Sequence, residues 1–242
     1  MPVEIGSVEA IFRYPVKSMA GERLDAVNLG WHGIDGDRRL AFRRIGDRSG
    51  FPWLTAGKLP DLLLFTPLCR GTQGDYSTHV RTPDGEEMPV FSEDLAAEVA
   101  RRHGAPVEMT HLKHGIFDEA SISVIASKTM REIAGLAHLS PDARRFRPNI
   151  VVSLLRPAPF QEDEWLGRVL SFGAGEHAPA ITVTMRDVRC AMVNLDPDSA
   201  RAAPEMLKAV VLANKNNAGI YGTVARTGPL AVGQPIMLHT TG

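Results

Sequence analysis

Residues 144–152 read Arg-Arg-Phe-Arg-Pro-Asn-Ile-Val-Val. The β-branched end of this stretch is expected to be a buried strand, with Arg147 standing just before it. Pro148 fixes its own φ and pushes Arg147 toward an extended conformation, so the guanidinium has a defined direction. A guanidinium fork grips phosphate through two parallel hydrogen bonds, and Asn149 offers donors and an acceptor to the edge of a heterocycle. By itself such a stretch is more often a surface turn or a salt-bridge site. Its meaning depends on the rest of the chain.

The chain has 242 residues, the size of one large domain or two small ones, with room for a real core. Its 27 basic and 28 acidic residues leave a net charge of −1, which is no footprint for a general nucleic-acid binder. No apolar run approaches the roughly 20 residues of a membrane helix, so no membrane contact is expected. The N-terminus, MPVEIGSVEAIFRYPVKS, carries Glu4 early and lacks the long apolar stretch of a secretory signal. Cys69 and Cys190 are the only two cysteines and lie far apart. A reducing cytoplasm is the simplest setting for them.

Strand signals dominate. Val8 to Arg13 reads as a strand ended by Tyr14-Pro15, and LDAVNLG as a second, closed by Gly30. RLAFRRIGDRSGFPWLT predicts a hairpin turning through Gly46-Asp47 and Ser49-Gly50, and HVRTPDGEEMPVF another at Pro83-Asp84-Gly85. A helix is expected from the N-cap Ser92 to Gly104, with acids in its first turn and Arg101-Arg102 near its end. His103 to Ile116 reads as a loop joining an N-terminal β unit, residues 1–104, to a C-terminal one, residues 115–242. Beyond it, ISVIAS is strand-like, KTMREIAGLA helical, and NIVVSLL, RVLSFG and ITVTMRDV are short β-branched runs. Pro204 suits a first helical position, and GIYGTVARTGPLAVGQPIML predicts a closing hairpin at Thr227-Gly228-Pro229. The expected fold is mainly β with peripheral helices (α+β), in two packed β-barrel-like units with a cleft between them.

No CxxC, HExxH, GxxxxGK[ST] or GxSxG motif is present. His111 and His114 sit in a polar stretch without a cysteine and read as solvated loop residues rather than a metal site. Glu162-Asp163-Glu164 before Trp165 reads as a solvated turn. Three other places carry more chemistry. YPVKS puts Lys17 and Ser18 just past a strand end, where they can meet an anion, and GDRRL supplies Asp37, Arg38 and Arg39. In VRCAMVNLDPD, Arg189 directly precedes Cys190. An unpaired cysteine is usually a small core residue, but a neighbouring cation favours thiolate, the form that attacks substrates and binds metals. Together these stretches outline an anion pocket beside a thiol.

IFRYPVKSMAGERL, DGDRRLAF, FRPNIVVS followed by FQEDEW, RCAMVNLDPDS and the terminal GIYGTVARTGPLAVGQPI stand in the order found in MOSC-domain proteins. The chain most resembles the mitochondrial amidoxime reducing component and its bacterial relatives, over nearly its full length. That resemblance implies a molybdenum cofactor, a pterin dithiolene ending in a phosphate, with Cys190 completing the metal's sulfur coordination. It places cofactor contacts on Lys17, Ser18, Arg38, Arg147 and Asn149, more loosely on Asp118, and gives Arg189 the task of favouring the Cys190 thiolate. The implied activity is reduction of N-hydroxylated or N-oxide small molecules. Electrons would come from a separate donor protein, because two distant cysteines cannot supply four cluster ligands. The alternative is a sulfur or cofactor carrier in which Cys190 holds a persulfide or delivers finished cofactor. The chain departs from the pattern at Gly57-Lys58, where close relatives have arginine and glutamine, and at Ala200, where they have glycine.

Overall fold

The computed structural model describes residues 2–70 and 77–239. The first half carries β1 (Val3–Arg13), β2 (Glu22–Leu24), β3 (Ala26–Gly30), β4 (Gly33–Ile34) and β5 (Leu40–Arg44), then β6 (Thr66–Leu68), β7 (His79–Arg81) and β8 (Glu87–Pro89). Helix α1 (Glu93–His103) and β9 (Val107–His111) complete it. The second half opens with β10 (Ile122–Ala126), α2 (Ser127–Leu136), α3 (Ala143–Phe146) and β11 (Ile150–Leu154). There follow β12 (Val169–Phe172), β13 (Ala180–Val188), α4 (Glu205–Asn214), β14 (Asn217–Arg226), β15 (Gly228–Ala231) and β16 (Pro235–His239). The fold is mainly β, with the helices on the outside.

Seven strands close a barrel in the order β11-β10-β14-β13-β12-β16-β1, sealed by pairing of β1 with β11, and β2 extends it beyond β1. Neighbours around the ring are antiparallel except β10 and β11. A parallel pair cannot be joined by a tight turn, so the chain crosses over through α2 and α3. Inward residues of each strand fill the barrel: Val8, Ile11, Val124, Ile150, Leu170, Ile181, Ile220 and Ile236. Where β1 meets β11, a Cβ on Gly6 would lie 2.1 Å from the carbonyl oxygen of Ser153, so only glycine fits. Helices α2 and α4 cover the outside through Met130, Ile133, Met206 and Val210, which pack on Ile125 and Val151.

A second core lies in the N-terminal half, where Val16, Met19, Phe42, Leu54, Leu62, Phe65, Val80 and Leu95 pack together beneath α1. That helix matches its sequence signals: the Ser92 hydroxyl accepts from the Leu95 amide, and Gly104 adopts the left-handed conformation. The hairpin at Pro83-Asp84-Gly85 also forms, as β7 and β8.

Three expectations are corrected. RLAFRRIGDRSGFPWLT is not a ladder hairpin: β5 pairs over its whole length with β9, and only a single bridge joins Arg43 to Trp53. Pro52 has no N–H to give a ladder there, and β9 supplies the backbone ladder to β5 instead. It follows that residues 107–111, expected as loop, are strand. The terminal segment is not a hairpin either. β14 lies between β13 and β10, β15 pairs with β3, and β16 lies between β12 and β1. The turn residues are present, but each strand satisfies its backbone against a sequence-distant partner. Consequently β1 serves the barrel and β15 serves the N-terminal half, so the two halves exchange strands.

Candidate functional site

A cavity of about 490 Å³ opens where the end of the barrel meets the N-terminal half. Lys17, Ser18 and Arg38 line it from one side, and Arg145, Arg147, Asp187, Cys190 and Tyr221 from the other. Asp118 and Glu119, on the segment linking the halves, line it as well.

Three of the cavity residues hold strained backbone. Ser18, Arg38 and Arg147 have φ of 66°, 49° and 50°. A left-handed conformation costs a non-glycine residue roughly 1 kcal/mol or more, and such residues collect at ligand sites. Here the expectation of an extended Arg147 is corrected. It closes α3 in the left-handed region, with its N–H on the Ala143 carbonyl. Pro148 disfavours right-handed helix at position 147, and the amide bond to Ala143 selects the left-handed alternative over the extended one.

Arg147 lies with its guanidinium carbon 4.1 Å from the Tyr14 ring centroid and donates from Nη1 to the Met19 carbonyl at 2.8 Å. Its Nη2 is buried without a partner. Burial, with the charge of Arg38 acting in the same direction, pulls the Arg147 pKa down to about 10. Arg38 lies 4.9 Å from the same ring and donates to Asp37 at 2.5 Å and to the Arg147 carbonyl at 3.0 Å. Lys17 is 5% exposed, donating to Asp118 Oδ1 at 2.7 Å. Burial lowers its pKa against the opposing pull of Asp118. This wall is a set of desolvated cations with one donor unsatisfied. Lys17 and Arg38 face carboxylates, and Arg147 is the one of the three with a donor left for an anion.

Asn149 does not line the cavity. Its Nδ2 donates to Phe12 and Asp37, and its Oδ1 accepts from the Ser123 amide and Arg38. It stands behind Arg38 and sets that side chain's direction. Arg189 likewise has little to offer a ligand. Its guanidinium donates to the carbonyls of Ala218 and Phe146 and pairs with Asp187 at 2.7 Å. Its peptide exchanges hydrogen bonds with Asn216. Arg189 therefore clamps the backbone that delivers Cys190, which is exposed on the cavity wall at the start of a short 3₁₀ turn, Ala191–Asn194.

Sequence reasoning passed over Arg145, Asp187 and Tyr221. Arg145, within the opening stretch, is held by the Asn194 carbonyl and Asp196. Gly57 lines the cavity, and a Cβ there would meet only the Thr55 hydroxyl at 3.6 Å, whereas Lys58 is exposed and does not line it. Cys69 is exposed and lies outside the cavity. His114 pairs with His32 at 3.1 Å. Among the described residues no three His, Cys, Asp or Glu are grouped to hold a metal ion, and no helix is long and apolar enough to cross a membrane.

A thiol and a wall of buried cations in the cleft beside a seven-stranded barrel define the class. Profiles of the MOSC N-terminal β-barrel domain and the MOSC domain match residues 5–122 and 99–237. The chain belongs to the MOSC-domain family, whose domain is linked to the molybdenum cofactor. A comparison with curated protein sequences gives no match. The crystal structure of YuaD from Bacillus subtilis shares the fold over 100% of both chains, with a TM-score of 0.55 and 15% identity. YiiM from Geobacillus stearothermophilus aligns with 50% of this chain and 55% of its own, at a TM-score of 0.40 and 19% identity.

Proposed function

We propose that this protein is a molybdenum-cofactor-dependent oxidoreductase that reduces N-hydroxylated or N-oxide compounds with electrons from a separate donor protein. The observation that carries the reading is the presence, in one cavity, of the exposed Cys190 thiol and the buried Arg147 guanidinium, whose Nη2 has no partner. The residues fit a pterin carrying a phosphate. Lys17 and Arg147, with its unpartnered Nη2, would take the negative charge, and Arg38 and Arg145 would flank it. Cys190 would offer the soft thiolate that such a metal prefers. When bound, the cofactor supplies the two-electron redox chemistry; the chain binds, orients and delivers protons.

A carrier role for Cys190 is the second reading, and its exposure is what favours it. Metal and pterin analysis of protein made in a cofactor-competent host separates the two. A reductase retains molybdenum and pterin near one per chain, and turns over an amidoxime or N-oxide with reduced viologen but not with NADH alone. Protein that retains neither metal nor pterin would refute the reductase assignment.

A further inference from the structure

Strands β13 and β14 lose register between Arg186 and Val188. Bulges of this kind re-aim a side chain. Here β14 carries the extra residue, Ala218 and Gly219 standing against the single Asp187, which is 1% exposed and lines the same cavity as Cys190. Its Oδ2 accepts from Ser123 Oγ at 3.0 Å and pairs with Arg189 Nη2 at 2.7 Å. Tyr221 on β14, in register with Ser123, faces the cavity beside it. A carboxyl has the wrong charge to grip a phosphate, so its presence in an anion cavity needs another explanation. The ion pair with Arg189 explains one side of the carboxyl but not why the group also opens onto the cavity.

Building on the reductase reading, we propose that Asp187 is the proton donor to the departing oxygen when the N–O bond is reduced. The balance is R₂N–OH + 2e⁻ + 2H⁺ → R₂NH + H₂O. The donor protein supplies the electron pair, and the N–O bond breaks. The oxygen keeps its hydrogen, takes the Asp187 proton and leaves as water. The nitrogen takes the second proton from solvent in the open cavity, which also reloads Asp187. Positioning comes from Ser123, whose hydroxyl holds Oδ2.

The groups around Asp187 set when the proton is available. Burial pushes its carboxyl up to about 6, against the pull of Arg189, Ser123 and Arg38 and with the repulsion of Asp118. Burial of the Tyr221 phenol, and after it the Asp187 charge, raises its pKa, so it stays a neutral donor beside the carboxyl. A donor of this kind works near neutral pH and contributes on the order of 10²–10⁴-fold in rate.

The test uses full-length protein loaded in a cofactor-competent host, reduced viologen and an N-hydroxy substrate. Asp187→Asn is expected to keep molybdenum, pterin and KM, and to lose on the order of 10²-fold or more in kcat. It should also lose the limb on which parental kcat falls as pH rises through about 6. Asp187→Glu should restore part of the rate. Infrared titration of cofactor-free chain carrying Glu162→Gln, which removes the other raised carboxyl, should show a protonated carboxyl band that disappears over that range and is missing when Asp187→Asn is added. Ser123→Ala, which removes a bond to the charged form, should move the limb to higher pH. It decides the matter alone if Asp187→Asn does not fold. Parental kcat and pH profile in Asp187→Asn, an unmoved limb in Ser123→Ala, or loss of molybdenum from Asp187→Asn would each overturn the role. A parent inactive on every N-hydroxy compound would remove the reductase reading and this role together, whereas an active parent beside an unaffected variant removes this role alone.

Discussion

The guanidinium of Arg147 lies over the ring of Tyr14, 4.1 Å from its centroid, while the Tyr14 hydroxyl is buried without a partner. The ring, then, is what the site uses. Tyr14→Phe is expected to be neutral or slightly stabilising, within about 1 kcal/mol, since it removes an unsatisfied buried group. Tyr14→Ala should cost on the order of 3–5 kcal/mol and weaken cofactor retention, because both arginines lose their platform. Thermal unfolding and pterin content of the two variants check this, and a Tyr14→Phe variant as damaged as Tyr14→Ala would count against it.

Arg147 itself allows binding and folding to be separated. Arg147→Gly deletes the charge while relieving the left-handed strain at φ 50°, so stability should change by less than about 1 kcal/mol. Cofactor retention should fall, as it should in Lys17→Ala. Normal pterin content in both variants would refute the anion wall.

The two cysteines are both exposed and both lie next to arginine, but only Cys190 lines the cavity. Cys69→Ser is expected to keep metal and activity, with a stability change in the range of about 0.5–3 kcal/mol or smaller. Cys190→Ser should fold and lose its molybdenum centre, because a hydroxyl is a hard, weakly acidic replacement for a soft thiolate. Molybdenum content of the two variants beside the parent decides between them.

Ala200 stands at φ 55°, with its amide on the Asp196 carbonyl. Left-handed backbone disfavours a Cβ, while glycine costs entropy in the unfolded chain. The first effect is the larger, so Ala200→Gly should stabilise the protein by roughly 0.5–1 kcal/mol. A lower melting temperature would show that the turn is not strained.

Glu162, expected as a solvated turn residue, is instead 0% exposed, accepting from the Ala126 amide and the Thr129 hydroxyl. Burial raises its pKa from 4.5 to about 7, against those two bonds. Because the folded state holds the proton more tightly, this contribution is full below about pH 4.5 and is lost as pH rises through 7. Glu162→Gln should remove that part of the pH dependence, on the order of 1–3 kcal/mol between pH 4.5 and 7. Parallel slopes for parent and variant in denaturant unfolding would disprove it.

Local signals settled what local physics controls. Ser92 and Gly104 bound α1 because a cap is a contact between near neighbours. Pro83-Asp84-Gly85 turned β7 into β8 because a short hairpin sets its own register. Arg147, Lys17, Arg38 and Cys190 were legible as chemistry because their residue types sit in short, ordered motifs, and they do line one cavity. Partner choice among strands was not legible. β5 chose β9 and the three terminal strands dispersed over five partners, since any β-branched strand can satisfy its backbone against another and only the assembled fold selects among them. The same limit applied to the site. Whether a polar side chain meets the cavity or its neighbours depends on distant groups: Asn149 and Arg189 are engaged by protein carbonyls and amides, while the β14 bulge opposite Asp187 and the strand face of Tyr221 deliver residues that no motif marked. The sequence by itself determined the β-rich class, the α1 cap and which thiol and cations to look for in one cavity. Only tertiary structure decided which strands close the barrel and which groups face the cleft, because those contacts join residues far apart in the chain.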